Sequence, residues 1–423
     1  MSSALPGYEE AAAVVAAYAA QLSRFQPAAE RAGLGLAAGR VLARALRADR
    51  DQPPFARSTR AGYACRAAEA SAHAPLALAG TTRAGEAPAG PLPPKAAWEI
   101  MTGAPVPAGA DAVMMLEHVE ADGKRVRLMP PRTIAEGENI VAQGAQARGG
   151  DELLPSGSTI GFGQIALAAA CGCAELEAFR RPRVAILTTG DEIVAVEAEP
   201  APGQIRNSNG PMLAAMVAAA GGQPWMLPTA GDDGNLIDAA LAQAAEADLL
   251  LITGGVSAGK FDLVEPALAR QGARFHFTGV RIQPGKPLVF GDLLVKKRNA
   301  AGKADRSRRR PFFGLPGNPV SSAVTFLLFA APVLAALAGR RDLGPRFALA
   351  RLAEDVKGKD GLTRFLPAAC TFGATAEHLP EVARVEWQGS GDLAAMARSN
   401  CFLVLPEETE RLKAGAIVRI LLP

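Results

Sequence analysis

The segment 248–262 constrains the fold most strongly, because an unbroken apolar run leads directly into a turn rich in glycine. The apolar run is Leu-Leu-Leu-Ile at residues 249–252. The turn contains Gly254, Gly255, Ser257 and Gly259. A short apolar run bounded by glycines is typical of a strand buried on both faces of a parallel sheet, and the spacing from Asp262 to Glu265 predicts the start of a helix. A strand, a glycine turn and a helix N-terminus together suit an anion, so we expect this chain to hold a phosphorylated molecule.

The length and the cysteine content indicate a multidomain protein of a reducing compartment. At 423 residues, the chain should contain more than one domain. Its five cysteines are odd in number and form no CxxC pair, which argues against a structural zinc site and favours buried thiols. The first residues show no basic region followed by an apolar core, as a signal peptide would. We therefore expect a cytoplasmic protein.

The most apolar stretch, residues 323–338, predicts a buried helix of a globular domain. It has sixteen residues and is interrupted by Pro332. A helix that crosses a bilayer needs about 20 apolar residues. We therefore expect no membrane partner.

The net charge of +3 is unevenly distributed along the chain. Residues 296–310 carry eight basic residues and one acidic residue, a local charge of +7, so the rest of the chain sums to −4. This run has no aromatic residues between its charges and no amphipathic period. It favours a solvated hairpin insertion between two strands over a nucleic-acid-binding patch.

The sequence divides into regions with different patterns. Residues 8–50 have helical patterns, the second of them around 34–48, and residues 51–149 are rich in proline, glycine and short alternating apolar segments. Residues 150–180 return to a helical pattern, and from 183 to about 339 apolar strands alternate with helices, as in an α/β domain. The remaining residues contain short strand-like pieces and indicate a compact β domain.

Three apolar strands of the α/β region end in polar turns. Residues 184–187 lead into TTGDE, 249–252 into Thr-Gly-Gly, and 312–315 into PGNP. In open α/β sheets, ligands bind beyond the carboxyl ends of the strands. If the strands are parallel, one neighbourhood gathers Thr189, Asp191, Glu192, Ser257, Asp262 and Asn318.

Several charged residues in such turns have both a functional and a structural interpretation. Asp191 and Glu192 follow a glycine, and such a pair can hold Mg²⁺ or order a polar substrate, or can interact with a helix N-terminus. Asp232 and Asp233 precede a predicted helix. They are either a second source of carboxylate ligands or part of a solvated loop. Lys286, in the turn PGKP, offers a fixed cation to a phosphate or is a surface lysine. The residues alone leave these alternatives open.

Two common nucleotide-binding motifs are missing from the sequence. There is no GxGxxG and no GxxxxGK[ST]. Dinucleotide oxidoreductases and P-loop NTPases therefore lose support.

Taken in order, the motifs resemble the molybdopterin molybdenumtransferase family, which includes bacterial MoeA and the gephyrin E domain. The matching segments are PPFARSTRAGYA (53–64), IMTGAPVPAGADAVMMLE (100–117), TTGDE (188–192), GQIRNSN (203–209), GGVSAGKFD (254–262), PGKP (284–287), LPGNPVS (315–321) and QGSGDL (388–393). They extend from about residue 50 to 400. Each is weak alone, but their combination is specific.

The resemblance implies a multidomain fold of α/β and β domains. Its expected parts are an elongated helical linker domain (1–50 with 150–180), a β-rich lid domain (51–149), a central doubly wound α/β molybdopterin-binding domain (181–339) and a C-terminal β-barrel (340–423). It also implies a homodimer whose cleft is completed by the partner subunit. The adenylylating enzyme and the chaperones of molybdoenzymes would be further partners.

The implied function is the insertion of molybdate into adenylylated molybdopterin, with Mg²⁺ and with release of AMP. The implied catalytic residues are Thr102, Glu192, Asp232, Asp262, Lys286 and Ser390, and Glu192, Asp232 and Asp262 would also bind the metal. The expected cofactor-binding residues are Thr189, Gly190, Asp191, Asn209, Gly254, Gly255, Ser257, Gly259, Pro316, Gly317 and Asn318.

This sequence departs from the family pattern mainly in the lid and the C-terminal domain. The lid motif D-G-Y-A reads Ala61-Gly-Tyr-Ala here, so a functional carboxylate of the family is lost. The other departures are Gln146, Pro367, Gly279 and Gln283, with Arg364 close to the position of a missing arginine. We therefore expect this protein to retain substrate binding better than catalysis, because the loss of one carboxylate can lower a reaction rate by orders of magnitude.

Three hypotheses follow for the function. The first is an active molybdenum-inserting enzyme with a modified lid. The second is a molybdopterin-binding paralogue or scaffold with weak or no metal insertion, which Ala61, Gln146 and Pro367 motivate. The third is a different nucleotide-cleaving enzyme on the same fold, whose second substrate differs.

Overall fold

The structure is a computed structural model, and it describes residues 5–255, 263–298, 304–371 and 379–423. The chain begins with α1 (Tyr8–Leu22), β1 (Ala29–Gly33), α2 (Leu34–Ala37) and β2 (Leu46–Arg47). Glu9 and Glu10 lie in the first turn of α1, where negative charge stabilises the helix N-terminus. The predicted second helical segment is only partly right, because α2 ends early. Gly39 adopts a left-handed φ of 75° and the chain then becomes extended.

The lid sheet, formed within residues 51–149, has six strands. Its elements and neighbours in chain order are β3 (Arg57–Ser58), β4 (Gly62–Cys65), α3 (Ala67–Ser71), β5 (Leu76–Thr82), β6 (Ala96–Ile100), β7 (Ala112–Met115), the 3₁₀ turn Leu116–His118, β8 (Val119–Ala121), β9 (Arg125–Leu128) and β10 (Ile140–Val141). The strand order is β7-β4-β6-β5-β9-β8. Only β5 and β6 are parallel, and the other pairs are antiparallel.

The segment that follows the lid packs against the segment that precedes the lid. Its elements are β11 (Glu152–Leu154), α4 (Phe162–Ala170) and β12 (Glu175–Phe179). Strand β12 pairs with β1, and β11 pairs with β2, both antiparallel. Two distant segments of the sequence therefore build one module on either side of the lid.

The central α/β region contains the strand predicted to be buried on both faces. Its elements are β13 (Arg183–Thr188), β14 (Ile193–Val194), β15 (Ile205–Arg206), α5 (Asn209–Ala219), β16 (Gln223–Met226), α6 (Gly234–Gln243), the 3₁₀ turn Ala244–Glu246, β17 (Leu249–Thr253), α7 (Val264–Arg270), β18 (Arg274–Thr278), β19 (Ile282–Gln283), β20 (Val289–Arg298), β21 (Ala304–Leu315), α8 (Pro319–Thr325) and α9 (Ala331–Leu337). All five residues of β17 are buried. The prediction for this strand is confirmed.

The central sheet is doubly wound, as predicted. Its strand order is β16-β13-β17-β21-β20-β18, and β16, β13, β17 and β21 are parallel neighbours. Leu249 and Leu251 of β17 face a core shared with α5 and α9, whereas Leu250 and Ile252 face a second core with α6 and α7. The continuous apolar run of β17 is explained by these two covered faces.

A hairpin extends from the antiparallel side of this sheet. Strands β20 and β21 pair antiparallel from Val289↔Gly314 outwards to Arg298↔Ala304. The basic residues at 296–310 therefore lie at the outer part of a hairpin, as expected, although residues 299–303 lie outside the described part of the chain.

Asp292 of β20 is fully buried and holds a charged cluster at the base of the hairpin. Its Oδ2 accepts a hydrogen bond from Arg274 Nη2 at 2.7 Å and lies 2.9 Å from His276 Nε2, and its Oδ1 accepts from Arg309. Burial raises the pKa of a carboxyl, but hydrogen bonds from these basic groups hold the pKa of Asp292 below its ordinary value. The cluster joins β18, β20 and β21 through side chains as well as through the sheet.

The longest apolar helix is buried inside the protein. Helices α8 and α9 are joined by a π-helical turn, Phe326–Ala330, into one helix from Pro319 to Leu337. This helix of 19 residues is long and apolar enough to cross a membrane by length and composition, but 78% of its apolar window is buried within the protein. Tyr8 of α1 packs on Phe329 in the same core. The prediction of a buried domain helix is confirmed.

The C-terminal region forms a closed sheet. Its elements are β22 (Phe347–Leu352), β23 (Val356–Lys357), β24 (Thr363–Thr371), β25 (Glu381–Arg384), α10 (Leu393–Arg398), β26 (Cys401–Leu405), β27 (Arg411–Leu412) and β28 (Ile417–Leu421). The order β24-β25-β22-β28-β26 closes because β26 also pairs with β24. Strand β19, from the central region, adds to this sheet parallel to β24. The predicted barrel is confirmed.

Candidate functional site

A cavity of about 520 Å³ lies at the carboxyl edge of the central sheet. The turns that follow β13, β17 and β21 meet there because these strands are parallel neighbours. Its lining residues are Thr188, Thr189, Glu192, Ile193, Ile205, Asn209, Thr253, Gly254, Ile282, Gln283, Pro284, Gly285, Lys286, Pro287, Pro316, Gly317, Asn318, Ser321, Trp387, Gly389 and Ser390. We call it the edge cavity.

The glycine turn after β17 needs its first two glycines. Gly254 has a φ of 96° and Gly255 a φ of 61°, in the region that favours glycine. A Cβ atom on Gly254 would lie 2.4 Å from the carbonyl oxygen of Thr189. The other residues proposed for this turn, Ser257, Gly259 and Asp262, lie outside the described residues, and the following helix begins at Val264.

A buried polar network lies beneath the edge cavity. Asn209 Nδ2 donates to Thr253 Oγ1 at 2.8 Å and to the carbonyl oxygen of Gly317 at 2.6 Å. Thr253 Oγ1 in turn donates to the carbonyl oxygen of Pro316 at 3.2 Å. The network ties the ends of β17 and β21 to the start of α5. Three buried oxygens of cavity residues have no hydrogen-bond partner within the described part of the chain: Thr189 Oγ1, Asn209 Oδ1 and Gln283 Oε1.

Two neighbouring turns carry the acidic residues of the site. Asp191 Oδ1 accepts a hydrogen bond from the backbone N–H of Asp232 at 2.9 Å, which holds the two turns together. Glu192 lines the edge cavity, and both it and Asp232 are exposed. Asp233, the second residue of the pair, caps α6 by accepting from the N–H of Asn235 at 2.7 Å, a role that the sequence had not predicted.

The acidic residues of the site are carboxylates, a ligand type that Mg²⁺ accepts in proteins. Among the residues that the structure describes, there is no group of three His, Cys, Asp or Glu side chains placed to hold a metal. Mg²⁺, however, is commonly bound by one or two carboxylates together with substrate phosphates and water. Glu192 and Asp232, on turns linked through Asp191, supply two such carboxylates.

The opposite wall of the edge cavity comes from the PGKP turn and the C-terminal region. Lys286 is exposed and lines the cavity, in the turn that follows β19. Ser390 Oγ accepts a hydrogen bond from Asn318 Nδ2 at 2.8 Å, and the Ser390 carbonyl accepts from the N–H of Val320 at 3.0 Å. The cavity thus combines carboxylate, cation and hydroxyl groups from separate parts of the chain.

Comparison with known proteins agrees with this architecture. The family described as MoeA N-terminal region (domain I and II) matches residues 7–172, the probable molybdopterin binding domain matches 185–336, and the MoeA C-terminal region (domain IV) matches 349–422. The molybdopterin molybdenumtransferase of Nostoc sp. is 32% identical over 92% of this chain and 87% of that protein. This chain belongs to the molybdopterin molybdenumtransferase family.

Other relatives share both the sequence and the fold with this member of the family. The molybdopterin molybdenumtransferase of Staphylococcus epidermidis is 32% identical over 91% of this chain and 88% of that protein. A crystal structure of the MoeA protein of Pyrococcus horikoshii has a TM-score of 0.73 at 30% identity, covering 99% of each chain. A second structure from that organism has a TM-score of 0.79 at 26% identity, covering 99% of this chain and 100% of that one. The predicted resemblance and fold class are confirmed.

The remaining family positions lie at one end of the lid sheet. Gly62 at the start of β4 pairs with Ile100 at the end of β6, so Ala61 and Thr102 lie close to the same edge. Thr102 is exposed in the turn after β6, and Ala61 is partly exposed. Within the described residues, none of the lid lines the edge cavity. Thr102 therefore does not share a cavity with Glu192 and Lys286 within the described single chain.

Several predicted residues support the site without lining the edge cavity. Gly190 and Gly255 form its turns, and Asp191 ties two turns together. The lining residues that sequence reasoning did not name as site residues include Thr188, Ile193, Ile205, Thr253, Ile282, Pro284, Gly285, Pro287, Ser321, Trp387 and Gly389. Trp387 directly precedes QGSG, so its position beside that motif was a usable signal. Gln283 had been noted only as a departure from the family pattern, yet it lines the cavity.

Proposed function

We propose that this family member inserts molybdate into adenylylated molybdopterin with the help of Mg²⁺ and releases AMP. The observation that carries the proposal is the edge cavity, in which a glycine turn, Glu192, Lys286 and Ser390 lie around one space. Such a set suits a substrate with a phosphoanhydride, which needs close backbone approach, a cation and metal-binding carboxylates.

In this proposal, the residues of the edge cavity bind and orient the substrate. Gly254 and Gly317 leave room for the substrate to approach the backbone, and Lys286 neutralises part of the charge of its phosphates. Glu192 and Asp232 hold Mg²⁺, which stabilises charge that develops when the phosphoanhydride bond breaks and AMP leaves. Ser390 is oriented by Asn318 towards the molybdate substrate. The roles of Thr102, Asp262, Ser257 and Gly259 belong to the same proposal.

The lid residues reach the edge cavity, in our proposal, through a homodimer. Thr102 and Ala61 lie on an edge that contributes nothing to the cavity lining of the described single chain. A second copy would bring its lid edge to the cavity and complete the cleft. The four domain boundaries given above, a cytoplasmic location, and partnership with the adenylylating enzyme and molybdoenzyme chaperones are parts of the same proposal.

A second candidate function is a molybdopterin-binding paralogue or scaffold with weak metal insertion. The observation that favours it is Ala61, because the side chain of this residue at the lid edge is a methyl group and carries no charge. Substrate binding at the edge cavity would then persist without efficient turnover.

One experiment separates the two functions. The purified protein is incubated with adenylylated molybdopterin, Mg²⁺ and molybdate, and the release of AMP and the protein-bound molybdenum are measured. Multiple turnovers by the natural sequence support the enzyme and contradict the scaffold. Tight binding without turnover, with turnover gained in A61D, supports the scaffold instead.

A further inference from the structure

Asn209 is held in one orientation at the floor of the edge cavity. Its side chain is buried, with the residue only 8% exposed. The amide group of asparagine has two N–H donors, and both are used here, towards Thr253 Oγ1 and the carbonyl oxygen of Gly317. The carbonyl oxygen of Gly317 can only accept, so the opposite amide orientation would place two oxygens 2.6 Å apart. Hydrogen bonding therefore fixes which end of the amide is nitrogen.

The consequence is that Asn209 can only accept a hydrogen bond from a ligand. Its Oδ1 is buried and has no partner among the described residues. A buried acceptor without a partner destabilises the folded protein, because it has lost its hydrogen bonds to water and forms none within the protein. A phosphate or molybdate oxygen would leave that acceptor unsatisfied and would add repulsion.

Thr189 shows a second unpartnered oxygen on the same floor. The residue is 2% exposed, and its Oγ1 has no partner within the described residues. Its backbone N–H donates to the carbonyl oxygen of Thr253, the residue whose side chain also holds Asn209. Cβ atoms on Gly254 and Gly255 would lie 2.9 and 3.0 Å from Thr189 Oγ1, so a side chain at either position would crowd this oxygen.

We propose that Asn209 Oδ1, together with Thr189 Oγ1, recognises an uncharged N–H or O–H donor group of the substrate. The inference rests on the proposed function, and it assigns the floor of the cavity to a neutral part of the substrate while the phosphates lie towards Lys286. Both oxygens are enclosed in this structure. Binding therefore includes a small local shift that opens them to the cavity. The donor comes either from the amino edge of the pterin or from the ribose hydroxyls of the nucleotide.

Two pairs of small probes distinguish these sources. Pterin is compared with lumazine, in which an oxygen replaces the 2-amino donor, and AMP is compared with 2′,3′-dideoxy-AMP, which lacks the ribose hydroxyls. Affinities are measured by titration calorimetry on the full-length protein. In one of the pairs, the probe without the donor should bind about 10- to 100-fold more weakly, as expected when a buried acceptor loses its donor.

Two variants test whether these two residues are the acceptors. N209A should discriminate much less between the two members of the discriminated pair, because one of the two acceptors is gone. T189V keeps the shape of the side chain and removes only an unpartnered hydroxyl, so it should fold normally and show reduced discrimination. T82V is the matched control, since Thr82 is a buried threonine of the lid whose hydroxyl accepts from Trp98 Nε1, away from the cavity. It should keep the full discrimination.

The outcomes separate this inference from the proposed function. Equal affinity within both pairs for the natural protein overturns the inference, and so does full discrimination in N209A. The comparison on the natural protein needs no variant, so the test holds even if N209A does not fold. Failure of the natural protein to bind any of the four probes contradicts the proposed function as well.

Discussion

The central sheet and the lid sheet each have six strands, yet they arrange their candidate residues differently. In the central sheet, β13, β17 and β21 are parallel neighbours, so the turns that follow them meet at one edge. In the lid, β4 and β6 are antiparallel, so the start of β4 lies beside the end of β6. Ala61 precedes β4 and Thr102 follows β6, which places both residues at the same edge. The parallel strands bring together residues from three turns that are distant in the sequence. The antiparallel pair of β4 and β6 brings together only the residues at the two strand ends that meet.

The two regions also differ in what is buried. The central region buries Asp248, Asp292 and Arg310, while no charged side chain of residues 51–149, all of them described, is buried. In the central region, the buried carboxylates Asp248 and Asp292 are paired with groups of opposite charge. The lid is stabilised mainly by apolar packing and by backbone hydrogen bonds between strands. We therefore expect changes of charge to have large effects in the central region and smaller ones in the lid.

The largest effect is expected for E192Q. Loss of this carboxylate from the edge cavity should lower the rate of AMP release about 100- to 1,000-fold, as for removal of one group that stabilises a transition state. E197Q is the matched control, because Glu197 is exposed on the same stretch but does not line the cavity. Steady-state AMP release measures both variants. A rate for E192Q within a few-fold of that of the natural protein would contradict the proposal that Glu192, at the edge of the central sheet, takes part in the reaction.

D292N tests the buried charges of the central region. The pKa of Asp292 is depressed in the folded protein, so its stabilising contribution is present above the unfolded pKa of about 3.9 and is lost as pH falls through the folded value. We expect D292N to lose about 3 kcal/mol of unfolding free energy at pH 7. The difference from the natural protein should shrink below about pH 4. Urea unfolding at several pH values measures it.

The control for D292N comes from the lid. Asp122 is exposed and its pKa is also depressed, mainly by the backbone N–H groups of Lys124 and Arg125. Asparagine can still accept those bonds, so D122N should change stability much less than D292N. Equal losses in the two variants would contradict the contrast between the regions.

A61D should restore part of the lid edge. A carboxylate beside Thr102 is expected to raise the rate of AMP release by about tenfold, a modest share of what one positioned charged group can contribute. A61N is the control, since it has a similar shape without the charge. An equal gain in both variants would mean that size, rather than charge, matters at this position, and no gain in either would show that Ala61 does not limit the rate.

The smallest effect is expected for S390A. This change removes a neutral hydroxyl that accepts from Asn318, so kcat/KM should fall by about three- to tenfold. S399A is the matched control, because Ser399 makes its hydrogen bond to Met396 in the same region and does not line the cavity. A loss as large as that of E192Q would show that the wall formed by the C-terminal region takes part in the chemistry as strongly as the central edge.

The sequence predicted the parts of the fold that depend on local signals. Residues 249–252 identified a buried strand because apolar side chains cover both of its faces, and the three polar turns were correctly placed at one edge. The prediction around 34–48 was less accurate, because β2 forms by pairing with β11, more than a hundred residues later. Long-range pairing of this kind leaves no local pattern in the sequence.

The same limit applies to the candidate site. The closeness of Ala61 and Thr102 depends on the register between β4 and β6, and the role of Asp191 in joining two turns depends on a hydrogen bond to Asp232. The fixed orientation of Asn209 depends on the carbonyl of Gly317, which lies far along the chain. Motif spacing predicted which residues belong to the site, and only the packed structure shows what each of them contacts.

Strand β19 belongs to the chain of the central region and to the sheet of the barrel at the same time. The PGKP turn follows it directly, and Ser390 comes from the C-terminal region itself. Lys286 and Ser390 are therefore both connected to the barrel, whereas Glu192 follows a strand of the parallel sheet. The separation between the cation and the carboxylate thus depends on how the barrel is packed against the parallel sheet.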